Sequence, residues 1–213
     1  MRADARRNRE RLLEAAIQLI LEGGREPTRD ALAAHAGVGI GTVYRHFPDP
    51  PSLLHAVVRF ALERSIEAGE DALATAPSAF DAIRKYMHAA VDHGIGVVNL
   101  LYPRLERPHP DLRTRAEALI RTMIERGKHE GRLPPDASPG DIVFATIRFG
   151  RPLAVGLPAA DERALAHRHI DLYLDGLGGR SRAPAPRAKR STGVGRAKSS
   201  RVPAANAIED QET

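Results

Sequence analysis

The stretch GVGIGTVYRHF (Gly37–Phe47) decides how the chain is read. Three glycines alternate with apolar residues, and then Tyr44, Arg45 and His46 arrive together. Two local structures give such a pattern: a glycine-rich loop that cradles a phosphate, or a turn that leads into a short helix. A dinucleotide loop needs G-x-G-x-x-G behind a hydrophobic strand, and a P-loop needs Lys followed by Ser or Thr. Here the glycines fall at 37, 39 and 41, the preceding DALAAHA has helical character, and no Lys-Ser/Thr follows. The phosphate-loop reading falls away.

The turn-and-helix reading accounts for more residues. Gly37 is a turn residue able to take a positive φ. Val43 and Phe47 are four apart and face inward, while Gly41, Thr42, Arg45 and His46 form the opposite stripe. A seven-residue helix with glycine at its start has little stability of its own. Neighbours must hold it, and its open face is offered to something else. Upstream, Thr28 caps TRDALAAH, with Asp30 in the first turn near the positive end of the helix dipole. Two short helices around a glycine turn, with donors on the open face, are the layout of a helix-turn-helix. Its second helix enters the major groove of DNA.

Working outward, helical periodicity is nearly everywhere and strand signals are nearly absent. Leu12, Leu13, Ala16, Ile17, Ile20 and Leu21 form an apolar stripe that stops at Gly23-Gly24. Pro48-Asp49-Pro50-Pro51 ends the short helix and restarts the chain at the first turn of a long one carrying Leu53, Leu54, Val57, Val58, Ala61 and Leu62. Capping patterns SAFD (Ser78 to Asp81) and SPGD (Ser138 to Asp141) open two more helices. Leu112 to Ile124 marks another, Pro152 is expected to kink or end the SPGD helix, and a last helix runs from about Asp161 to Gly176. The expectation is an all-α chain of about nine helices.

Composition bounds the partners. No cysteine is present, which excludes disulfides and cysteine-ligated metals. The longest nearly apolar run, IGVVNLL (Ile95 to Leu101), is far short of a membrane span. A cytoplasmic protein without a membrane partner is the expectation. The net charge of +5 lies in residues 179–213, which hold eight Lys or Arg against three Asp or Glu; the rest is balanced. Global charge is therefore no argument for nucleic acid. With almost no large apolar residue, 179–213 is expected to be a disordered basic tail.

Nine histidines raise the question of a metal. His88 and Asp92 share a helix face, but no second clustered ligand set accompanies them, and no H-E-x-x-H occurs. No G-x-S-x-G or paired acid set suggests catalysis. The expectation is no catalytic site, no metal and no cofactor.

The segment TRDALAAHAGVGIGTVYRHFPDPPSLL resembles the helix-turn-helix of TetR-type bacterial transcriptional regulators. The resemblance covers about Asp4 to Glu63 and rests on the Thr-capped helix, A-G-V, G-T-V-Y, the H-F pair and Leu53-Leu54. It implies a three-helix DNA-binding domain at 4–63, with its motif at about 28–47, and a helical regulatory domain at 64–178. In that family the second domain usually holds a ligand cavity and pairs two protomers through the last two helices. The implied function is a homodimeric, ligand-responsive repressor on a near-palindromic double-stranded DNA operator, with an unknown small-molecule effector. The alternative is a DNA-binding architectural or partner-binding factor without an effector.

By position, the resemblance has Thr28 contact a phosphate and Gly39, Ile40, Gly41 and Thr42 lie at base edges. Tyr44 and His46 would contact the backbone or a thymine methyl. Arg45 is the expected base-reading residue, since guanidinium to guanine is the commonest specific pair. Ile40 either reads a thymine methyl or belongs to the core. Many relatives have Ser-Lys-Gly where this chain has Gly39-Ile40-Gly41, and many have a Lys after the H-F pair where it has Asp49-Pro50-Pro51, so two cationic contacts are missing; Arg2, Arg6, Arg7 and Arg9 are candidates to compensate on the backbone or in the minor groove. Met87, Val91, Tyr102, Met123, Phe144 and Arg148 are the candidate ligand-pocket residues, with ordinary core packing as the alternative for each. Arg148 stands on an otherwise apolar helix and is expected to need a partner, either an acidic group of a ligand or an Asp or Glu across a dimer interface.

Overall fold

A computed structural model describes residues 2–105, 109–153 and 156–180. The expected disordered tail lies almost wholly outside the described residues. Nine α-helices and one 3-10 turn make up the described chain, and no strand occurs among the described residues. The helices are α1 (Arg2–Gly23), α2 (Arg29–Ala36), α3 (Ile40–His46), α4 (Pro50–Thr75), α5 (Ala79–Asp92), α6 (Gly96–Leu101), α7 (Pro110–His129), α8 (Pro139–Phe149) and α9 (Ala159–Arg180). None of them is long and apolar enough to cross a membrane.

The helix starts obey local chemistry. The Thr28 hydroxyl accepts from the Ala31 amide at 3.2 Å, and the Asp49 carboxylate accepts from the Ser52 amide at 2.7 Å. Pro50 and Pro51 occupy the first turn of α4, where a missing N–H costs nothing. The Asp81 amide donates to the Ser78 hydroxyl at 3.1 Å. At the start of α8 the Ser138 amide donates to the Asp141 carboxylate at 2.7 Å. α8 ends at Phe149, ahead of Pro152, as expected of a residue that cannot continue a helix.

The buried apolar side chains form one continuous core. Leu12, Ile20, Leu32, Val43, Phe47 and Val57 are buried where α1, α2, α3 and the first turns of α4 meet. Ile83, Met87, Ile120, Met123, Ile124 and Ile142 are buried where α5, α7 and α8 meet. Burying each such side chain contributes roughly 1.5–3 kcal/mol. α4 is one continuous helix that packs on α1 at one end and on α5 and α7 along its length. The expected domain boundary at residue 63 therefore falls inside a helix.

Polar contacts join α5 to α9. Arg84 pairs with Asp171 and, at 2.9 Å, with Asp175. His88 Nδ1 lies 2.6 Å from His167 Nδ1, with the rings stacked, and His167 Nε2 lies 3.0 Å from Asp92. Burial alone would raise the Asp171 carboxyl, but the hydrogen bonds from His88 and Arg84 hold it below the usual carboxylate value. The sequence placed His88 and Asp92 on one face; their partner from α9 was not visible in the spacing.

Where α6 meets α8, two backbones touch. A methyl group at Gly96 would stand 2.1 Å from the Gly150 carbonyl oxygen. Gly96→Ala is accordingly expected to cost about 1–3 kcal/mol by overpacking. Urea denaturation measures it, and an unchanged midpoint would mean that the helices separate without penalty.

Candidate nucleic-acid interface

The helix-turn-helix is held from three sides. Gly37 ends α2 in the left-handed conformation, φ 63°, and its amide reaches back to the last turn of that helix. Arg11 of α1 donates to the Ala36 carbonyl at 2.6 Å. On the far side, Arg29 donates to the Phe47 carbonyl, and its guanidinium stands 5.1 Å from the Tyr44 ring centre. Arg9 lies 4.8 Å above the Phe47 ring. Arg29 and Arg9 are thus committed to holding α3 in place. Neither was singled out as a clamp from the sequence, because both act across long sequence separations.

α3 divides as its spacing predicted. Val43 and Phe47 are buried, at 0% and 1% exposure. Gly39, Ile40, Gly41, Tyr44 and Arg45 are exposed, and Thr42 and His46 are half-buried beside them. Ile40 is 41% exposed, so the core alternative does not hold for it. Arg45 donates to the Thr42 hydroxyl at 2.9 Å, which draws the guanidinium along the open face. Side chains added at Gly39 would meet nothing within 4 Å, and at Gly41 only the tip of Arg45 at 4.0 Å. Nothing inside the protein requires glycine at either position. Thr28 is exposed at the start of α2, at the end of that helix where amides point outward.

The N-terminal arginines belong to α1 and not to an extended arm. Arg6 pairs with Glu10 at 3.3 Å and Arg7 pairs with Asp4, both within the helix. Such exposed pairs contribute little to stability.

The six expected pocket residues are not gathered around one space. Met87 and Met123 are wholly buried, and Val91 is buried. Tyr102 is half-buried, with its hydroxyl oxygen buried and unpartnered and the Arg113 guanidinium 5.7 Å from its ring. Phe144 is 70% exposed and Arg148 is exposed. The reason is helical phase: α8 turns Ile142 and Thr146 inward, so positions 144 and 148 point out. Arg148 therefore reaches solvent within the single chain. An open cleft of about 300 Å³ exists elsewhere, beside α1, and only Val91 of the six borders it. Among the described residues no cluster of three or more His, Cys, Asp or Glu is placed to hold a metal ion.

Residues 12–57 match the family described as bacterial regulatory proteins, tetR family. The chain is 26% identical over 171 residues to the transcriptional repressor LfrR of Mycolicibacterium smegmatis, covering 80% of this chain and 88% of that protein. It is 41% identical over 64 residues to a helix-turn-helix transcriptional regulator of Staphylococcus aureus, covering 30% of this chain and 35% of the relative. Among solved structures, a TetR transcriptional regulator from Streptomyces coelicolor superposes with a TM-score of 0.60 at 27% identity, over 80% of this chain and 98% of that one. LfrR in complex with proflavine superposes with a TM-score of 0.56 at 25% identity, over 78% and 95%. These similarities, together with the helix-turn-helix, make the chain a DNA-binding transcriptional regulator. Residues 12–57 carry the DNA-binding domain of the tetR family, and over most of its length the chain is similar to TetR-type regulators.

One pH effect follows from the clamp. Burial, then the charges of Arg9 and Arg45, hold the His46 imidazole below the ordinary histidine value of 6.5. The unfolded chain binds this proton more readily than the folded one, so the stability His46 confers is complete above pH 6.5 and is lost as pH falls through the lowered value. His46→Gln is expected to reduce the loss of stability between about pH 7.5 and about pH 5. Chemical denaturation at the two pH values is the measurement, and an unaltered difference would show that His46 is not among the groups responsible.

Proposed function

We propose that the chain is a homodimeric, ligand-responsive repressor that binds a near-palindromic operator in the cytoplasm. The observation that carries the reading is the outer face of α3. It is clamped firmly by Arg9, Arg29, Val43 and Phe47, yet it leaves Gly39, Ile40, Gly41, Tyr44 and Arg45 facing solvent with glycines that no internal contact demands. Glycines with nothing against them inside the protein suit a helix that presses its backbone close to an outside surface. Residues 4–63 are the reading domain and 64–178 the regulatory and dimerisation domain, joined through α4. Thr28 takes a phosphate at the start of α2; Gly39, Ile40, Gly41 and Thr42 lie at base edges; Tyr44 and His46 flank them; and Arg45 reads a guanine. Ile40, exposed beside Tyr44, suits contact with a thymine methyl.

Dimerisation is assigned to α8 and α9, where Phe144 and Leu172 are 70% and 60% exposed. Large apolar side chains at this exposure favour burial against a second copy. Two-fold symmetry of the protein then matches two-fold symmetry of the operator. Response to a small molecule is supported by the similar protein LfrR, whose structure contains proflavine.

Selection of bound sites from random duplex DNA tests the reading. A palindrome with half-sites about one helical turn apart is expected; an asymmetric site, or none, would overturn it. On the selected site, Arg45→Ala is expected to cost about 1–3 kcal/mol and to relax preference at one base position. Equal losses on selected and random DNA would exclude base reading by Arg45.

A further inference from the structure

The cleft beside α1 is built from distant parts of the chain. α1 presents Glu14, Gln18 and Glu22 at four-residue steps, which places them on one face. α4 presents Phe60 and Arg64, and the turn between α5 and α6 presents Asp92, His93 and Gly94. The far wall comes from Phe149 and Arg151 at the end of α8 and from Glu162 and Arg163 in α9.

At its floor the main chain is in close contact with its neighbours. Gly94 has φ 74°, and a side chain there would stand 2.3 Å from the Ile17 methyl of α1. Gly96 meets Gly150 in the same way, across α6 and α8. Contacts this tight pass on a displacement instead of absorbing it. α1 also holds the reading domain. Gln18 lines the cleft, and its Oε1 lies 2.7 Å from His35 Nε2 in α2. Arg11, two turns earlier, holds the end of the same helix.

The lining chemistry selects among ligands. Four carboxylates (Glu14, Glu22, Asp92, Glu162) face three guanidiniums (Arg64, Arg151, Arg163). Arg64 is already directed at Glu14, 3.8 Å away, and at the Phe60 ring, 5.5 Å from its centre. Burial, then the charge of Arg64, hold His93 below the ordinary histidine value, so it adds no positive charge at neutral pH. Phe60 and Phe149 add aromatic surface. An excess of carboxylate beside aromatic rings favours a flat cation. Proflavine, present in the similar LfrR structure, is a molecule of that class.

We infer that this cleft is an effector site for a flat aromatic cation, which acts by displacing α1 and with it α2 and α3. The inference rests on the ligand-responsive reading above and places the site away from the buried interior around Met87 and Met123.

The test titrates the full chain with proflavine, followed by its fluorescence, and with the anionic dye anilinonaphthalene sulfonate, alongside operator binding. Saturable proflavine binding with one site per chain is expected, accompanied by release of the operator. Glu22→Gln should weaken proflavine binding by about three- to tenfold, and Arg163→Glu should strengthen it by a similar factor. Both positions are exposed, so both variants are expected to melt like the parent. Met87→Leu should leave proflavine binding unchanged. No proflavine binding, or preference for the anionic dye, would overturn the inference. Operator release by proflavine that ignores Glu22 and Arg163 would sink the site while keeping the ligand-responsive reading. Proflavine binding that follows Glu22 and Arg163 but leaves operator affinity unchanged would sink the coupling and count against that reading itself.

Discussion

α3 is too short to stand alone, and the need to hold it is the constraint on which the rest depends. Seven residues, one of them glycine, cannot offset the cost of nucleating a helix. Val43 and Phe47 therefore go fully into the core, and Arg29 and Arg9 close over the C-terminal end. The left-handed turn at Gly37 sets the direction from which α3 departs. Because one face is given wholly to anchoring, the other can carry glycine, an exposed isoleucine, tyrosine and arginine without endangering the fold. The anchoring face and the exposed face are separated within two turns of helix.

α4 extends that logic through the molecule. It begins at the Asp49 cap directly after α3 and continues without interruption to Thr75, packing on α5 and α7. A continuous helix that contributes buried residues along its length links the two ends of the core. The junction of α1 with the α5–α6 turn and of α6 with α8 is a second link, made of close backbone contacts at Gly94 and Gly96. Two ties of this kind leave few ways for α3 to shift except as part of a collective movement. The polar chain from Asp92 through His167 and His88 to Asp171 and Arg84 fastens α9 to α5 beside the same junction.

Much of this was legible in the residues. Apolar stripes and caps located the long helices, because a helix start needs specific hydrogen-bond acceptors and these occur at Thr28, Asp49, Ser78 and Ser138. α6 is not legible in the residues, since IGVVNLL is nearly all apolar and too short to show a period. The solvent-facing stripe of α3 is legible because Val43 and Phe47 fix the inward phase of the helix and so define what faces out. The pocket set was not. Phe144 and Arg148 share a helix with Ile142, and apolar character on both sides of α8 hides which side is the core.

What the sequence determined by itself is local: where helices begin and end, which side of α3 is buried, and the family signature across the helix-turn-helix. Those properties depend on residues within one or two turns of each other. The tertiary structure decided everything that joins distant segments. It committed Arg9 and Arg29 to clamping α3, turned Phe144 outward, brought His167 to His88, and opened the cleft beside Gln18 and Gly94. Each depends on the phase and separation at which two helices pack, and neither quantity is encoded in either helix alone.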